Sequence, residues 1–78
     1  MNRPRVLTQH DPQKVGALLR GMRISAGITQ DVVAQHLGLD RTSVNKMERG
    51  KHTASLANIM QWAKVCGFDI RVSIRKAK

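Results

Sequence analysis

The stretch "ITQDVVAQHLGLDRTSVNKMERGK", residues 28–51, decides the fold. It holds two short amphipathic segments joined by "HLGLD". In the first, Thr29 is a good helix N-cap, and Val33, Ala34 and Leu37 recur at helical spacing until Gly38 stops the pattern. Leu39 is expected to point inward. Asp40 then caps a second helix of about residues 41–49, ended by Gly50. Its apolar residues, Val44 and Met47, lie three apart and share one face. That leaves Arg41, Thr42, Ser43, Asn45, Lys46 and Arg49 facing outward, and every one of these side chains can donate a hydrogen bond.

Outward from this pair the helical pattern continues on both sides. Upstream, Asp11 is a suitable N-cap and Pro12 fits the first helical position, where its missing N–H does no harm. Val15, Leu18, Leu19, Met22 and Ala26 then recur at three and four, and Gly27 ends the helix. Gly16 and Gly21 weaken that helix. Downstream, Ser55 caps a fourth helix with an apolar stripe of Leu56, Ile59, Trp62, Ala63 and Cys66, ended by Gly67.

After Gly67 the period changes. In "FDIRVSI", residues 68–74, Phe68, Ile70, Val72 and Ile74 alternate with Asp69, Arg71 and Ser73, the pattern of a strand. Nothing else in the chain reads as strand, so both backbone edges would lack an internal partner. The simplest partner is the same strand of a second copy, paired antiparallel across a two-fold axis. A frayed extension or a fifth short helix are the alternatives. The expected organisation is a basic arm over 1–11, a helical domain over 12–67, a dimerising strand over 68–75 and a basic tail over 76–78.

Composition bounds the function. The chain has 78 residues, one domain's worth, with 14 Lys plus Arg against 5 Asp plus Glu and a formal charge of +9. A core this small rarely supplies more than about 3–5 kcal/mol, so good helix packing or association with a second chain is expected. The charge points to a polyanionic partner, nucleic acid before an anionic membrane surface. No apolar run approaches the roughly 20 residues of a membrane span, and "MNRPRVLTQHDP" lacks the apolar stretch of a signal peptide. A cytoplasmic, nucleoid-associated protein is expected. Cys66 is the only cysteine, so no internal disulfide can form, and it reads as a core residue.

A short helix, a glycine turn and a second helix make a helix-turn-helix, whose second helix enters the DNA major groove while the first crosses the backbone. Side chains that read base edges must offer donors and acceptors beyond the helix surface. Arg reads guanine, Asn or Gln reads adenine, and Ser or Thr serves either. Phosphates favour Lys, Arg, short hydroxyls and helix N-termini. The outward residues of the third helix are of these types.

The segment "GITQDVVAQHLGLDRTSVNKMERGK" resembles the Xre family of helix-turn-helix domains, which includes phage lambda-type repressors and Cro. The "TQ" opening, "VA" before "HLG", inward Leu39, Val44 and Met47, and the "ERGK" ending carry the resemblance, which covers roughly residues 13–67. With the ending "CGFDIRVSI" added, the chain is most similar to HipB-like antitoxins, which dimerise through a C-terminal strand. The resemblance implies an all-α, four- to five-helix, lambda-repressor-like domain with a C-terminal β-strand pairing across a homodimer.

The resemblance also implies roles for individual residues. Arg41, Thr42 and Lys46 would reach base edges. Ser43 and Asn45 would touch phosphate or bases. Thr29 would sit near phosphate, and Gln30 would hold phosphate while bracing the recognition helix. Arg49, Gly50 and Lys51 would touch phosphate through backbone N–H groups and side chains. Arg23 and Glu48 would form an ion pair linking the first and third helices. The chain departs from the family at Val33 and Met47, where a longer Leu or Ile is common, and at Thr42, where many relatives carry Gln.

Other features read more plainly. Lys14, Arg20 and Lys64 are expected to be solvated surface. The arm with Arg3, Pro4 and Arg5 is expected to be an unstructured tail, with a minor-groove arm as the alternative. His10, His36 and His52 lack metal-ligand spacing, so no metal or cofactor is expected. Trp62 belongs to the core or a dimer interface. With only Trp62 and Phe68 aromatic, no base-stacking platform is expected. No catalytic constellation or phosphate loop stands out, so enzyme activity is not expected.

The sequence therefore predicts a transcriptional repressor that binds double-stranded DNA at an inverted repeat as a homodimer. It could also be the antitoxin of a toxin–antitoxin operon, with a toxin such as a HipA-like kinase as partner. The alternative is a non-specific nucleoid or RNA-binding protein.

Overall fold

The computed structural model describes residues 12–71, which form four helices: α1 (Pro12–Ala26), α2 (Gln30–Leu37), α3 (Arg41–Glu48) and α4 (Leu56–Val65). The cap at Asp11, the arm with its Arg3, Pro4, Arg5 and His10, the strand residues Val72 and Ile74, and the basic tail lie outside the described residues.

Local chemistry sets the boundaries. Thr29 Oγ1 accepts the Val32 N–H at 3.2 Å, Asp40 Oδ1 the Ser43 N–H at 2.7 Å, and Ser55 Oγ the Asn58 N–H at 3.1 Å. Each satisfies a donor that the first helical turn leaves open. The hydrogen bonds from Ser43, side chain first and backbone second, hold the Asp40 carboxyl below its ordinary value. The turn between α2 and α3 closes at Gly38, whose φ of 68° is the left-handed conformation that side chains disfavour. Its N–H meets Gln35 O at 3.4 Å and the Leu39 N–H meets Ala34 O at 2.9 Å. This paired closure turns the chain sharply and aims Leu39 back at the core.

The four helices surround one core of Val15, Leu19 and Met22 from α1, Val33 and Ala34 from α2, Val44 and Met47 from α3, Ala54, and Trp62, Ala63 and Cys66 at the far end. Trp62 is fully buried and donates its indole N–H to Leu19 O at 3.0 Å, tying α4 to α1. Burial pushes the Cys66 thiol pKa up, which favours the neutral thiol.

Three residues of the predicted apolar stripes lie outside this core. Leu18 is 37% exposed, Leu56 is 54% exposed, and Ala26 is also exposed. Each flanks the packed stripe of its helix, and α1 turns Val15, Leu19 and Met22 inward instead. Among the described residues there is no strand. Residues 68–71 carry no regular element, with Ile70 packed on the core and Phe68 43% exposed. The predicted register put both on one face. Among the described residues the segment meets no second strand to pair with.

Candidate nucleic-acid interface

The recognition surface starts from how α3 is held. Gly16 of α1 faces the C-terminal end of α3, and a Cβ there would lie 2.5 Å from Met47 O and 2.6 Å from Glu48 O. Only the missing side chain lets the two backbones approach so closely. By helix propensity alone Gly16 is a weak point in α1; in the fold it is a contact. Gly50 similarly lies against Gln13, where a Cβ would come within 2.8 Å of the Gln13 Cα.

Beside this contact sits a buried polar cluster. Glu48, with a side chain only 2% exposed, accepts Arg23 Nε at 2.6 Å and Arg23 Nη2 at 3.0 Å. Arg23 also donates to Ile28 O at 3.1 Å, in the connection into α2. The Gln30 side-chain amide donates to Glu48 Oε1 at 3.1 Å, and Asn45 reaches Gln30 Oε1 at a long 3.5 Å. The hydrogen bond to Glu48 raises the Arg23 pKa above its already high value. One carboxylate thus joins α1, α2 and α3, and no buried side-chain nitrogen or oxygen among the described residues lacks a partner. A satisfied network of this kind fixes geometry, whereas a half-satisfied one is costly.

The opposite face of α3 is open. Arg41, Thr42, Lys46 and Arg49 are exposed, and Ser43 is half-buried. Asn45 is also half-buried, leaning toward Gln30. At the end of α3 the Arg49, Gly50 and Lys51 N–H groups donate to Asn45 O, Met47 O and Lys46 O at 3.0, 3.1 and 2.8 Å. These backbone donors are engaged within the chain, while the Arg49 and Lys51 side chains are exposed. Thr29 is exposed at the entry to α2, its hydroxyl oxygen accepting the cap bond. An open cleft between α1 and the starts of α2 and α3 is lined by Arg20, Arg23, Thr29, Gln30, Asp31 and Arg41, among others. The presence of Arg20 there was not visible in the sequence, because it follows from how α1 crosses the pair rather than from any local pattern.

Among the described residues, no group of three His, Cys, Asp or Glu side chains could hold a metal, and no helix is long and apolar enough to cross a membrane.

A four-helix domain with a braced α3 and a cationic outer face has the form of a DNA-binding regulator of the helix-turn-helix class. The family model described as a helix-turn-helix domain matches residues 14–73, and the chain belongs to that family, in its Xre, lambda-repressor-like branch. Among solved structures, the chain is similar to the restriction-modification controller protein C.AhdI from Aeromonas hydrophila, at 37% identity and a TM-score of 0.69. The match covers 77% of this chain and 91% of that one. No curated protein matches the chain at a significant level.

Proposed function

We propose that this protein is a sequence-specific transcriptional repressor that binds an inverted-repeat operator as a homodimer. The observation that carries the reading is the outer face of α3: Arg41, Thr42 and Lys46 are exposed together on a helix held from behind by Glu48. In this reading Arg41, Thr42, Lys46 and Asn45 read base edges. Asn45 does so only if it gives up its contact with Gln30. Thr29, Gln30, Ser43, Arg49 and Lys51 hold backbone phosphates, and Gly50 shapes the loop between the last two.

The dimer is supported by exposed large apolar residues on α4 and just beyond it, Leu56, Met60 and Phe68. Of these, Phe68 opens the alternating segment expected to pair between copies. Two recognition helices would then enter successive major grooves about 34–36 Å apart, and occupancy would block polymerase. Such a protein works on chromosomal DNA, at the nucleoid in the cytoplasm.

The regulated genes have two candidate settings. Similarity to a restriction-modification controller protein supports control of a restriction-modification operon. The antitoxin reading, with a HipA-like kinase as partner, rests on the C-terminal alternating segment. A neighbouring methyltransferase or endonuclease gene favours the first, and a small kinase-like gene the second.

The test is a fluorescence-anisotropy titration at about 150 mM salt with DNA from upstream of the gene and a scrambled duplex of equal length. A preference of about a thousandfold or more is expected. Equal, salt-sensitive binding to operator candidates across the genome and to scrambled DNA would instead favour a non-specific nucleic-acid binder.

A further inference from the structure

Arg20 lies on α1, outside the helix-turn-helix pair, and its sequence context is that of a solvated surface residue. In the fold it lines the open cleft together with Arg41, the first residue of α3. Arg23 lines the same cleft, but its charge is met by Glu48. Arg20 and Arg41 are exposed, and neither has a carboxylate partner among the described residues. Among the described residues, Asp31 is the one carboxylate on the cleft wall, and it forms a salt bridge with neither of them. Two unpaired guanidiniums against one carboxylate leave the concavity positive and short of an anion. Arg41 also belongs to the exposed face of α3, so a duplex seated on that face carries its backbone past the mouth of the cleft.

We propose that this cleft seats one backbone phosphate of the bound duplex, with Arg20 as a phosphate ligand supplied by α1. The inference rests on the DNA-binding reading above. A guanidinium suits the task because its planar fork meets two phosphate oxygens at once. Arg20 would set the register of α1 against the backbone and so help fix where α3 enters the groove. It would carry no sequence information itself.

The experiment compares full-length wild type with Arg20→Ala and Arg20→Lys, by anisotropy over a range of salt, on the operator and a scrambled duplex. Alanine is the best helix former and Arg20 is exposed, so thermal unfolding should be unchanged in both variants. For Arg20→Ala the slope of log K against log salt should become shallower by about 0.9 for each cleft engaged. Affinity should fall by the same factor on both duplexes. Arg20→Lys should keep the slope while losing part of the affinity, since it retains the charge but not the fork.

An unchanged slope and affinity in Arg20→Ala would overturn the proposal, and so would a loss confined to the operator. A wild type that binds neither duplex would overturn the DNA-binding reading itself, and the two failures are therefore separable. Thermal unfolding with inorganic phosphate at constant ionic strength adds a further arm. A rise in wild type that Arg20→Ala abolishes, with no change in the DNA slope, would assign the cleft to a free anion and overturn the duplex contact.

Discussion

The two faces of α3 do opposite work with similar residue types. Its inner face carries Val44 and Met47 and, among them, a carboxylate: Glu48 is 6% exposed and bonded to Arg23 and Gln30. Its outer face carries Arg41, Thr42 and Lys46, whose exposed side chains make no hydrogen bond or ion pair among the described residues. Charge on the inner face is satisfied and rigid. Charge on the outer face is unsatisfied and available. The difference separates orientation from recognition, so a substitution on one face should move stability and one on the other should move DNA affinity.

The largest effect should come from Arg23→Ala. It removes the cation from a carboxylate whose side chain is 2% exposed, leaving Gln30 as its one remaining side-chain partner. Breaking a buried pair from one side typically costs about 3–5 kcal/mol. A core of this size supplies little more than that, so the variant should be largely unfolded in denaturant titrations that leave wild type folded. A double variant, Arg23→Met with Glu48→Leu, sharpens the point, since replacing both partners by apolar residues of similar volume is often nearly neutral. The double variant should regain stability without regaining operator affinity, because nothing then sets the angle of α3. Full recovery of affinity would show that the pair does not orient the helix.

Gly16→Ala attacks the same inner face through packing alone. The new methyl would meet backbone oxygens of Met47 and Glu48 at 2.5 and 2.6 Å, and backbone cannot step aside as a flexible side chain can. Overpacking of this kind costs about 1–3 kcal/mol, which outweighs the gain in helix propensity. Chemical denaturation should show a lower midpoint with an unchanged slope. On the outer face, Arg41→Ala and Lys46→Ala should each lose about 1–3 kcal/mol of binding on the cognate site and relax specificity there, if each reads a base. Their unfolding should stay within about 0.5 kcal/mol of wild type. Equal losses on all duplexes would reassign the residue to a phosphate.

Much of the fold could be read from the sequence because its determinants are local. Thr29, Asp40 and Ser55 cap the helices that follow them, and Gly27, Gly38 and Gly67 end the helices at the expected places. Periodicity identifies most of the core but not its rim. Leu18, Ala26 and Leu56 fit an apolar stripe, yet which edge of a stripe is covered depends on where the neighbouring helices cross. Glu48 is invisible to hydropathy, since a carboxylate reads as surface, and only resemblance to a family pairs it with Arg23. Arg20 had neither a pattern nor a family role to mark it. Its place in the cleft is a tertiary fact.

Gly21→Ala is the smallest effect and the sharpest control. Gly21 shares α1 with Gly16, and by sequence both are equally unfavourable residues in the middle of a helix. Gly21 is exposed, and a Cβ there would meet nothing within 4 Å. Alanine therefore brings only its helix preference, a stabilisation of about 0.5–1 kcal/mol. Thermal unfolding should shift upward for Gly21→Ala and downward for Gly16→Ala. The same change, five residues apart on one helix, should thus give opposite signs. If both variants were stabilised, α1 and α3 would not pack backbone to backbone at Gly16, and the inner face would owe its rigidity to the Glu48 cluster alone.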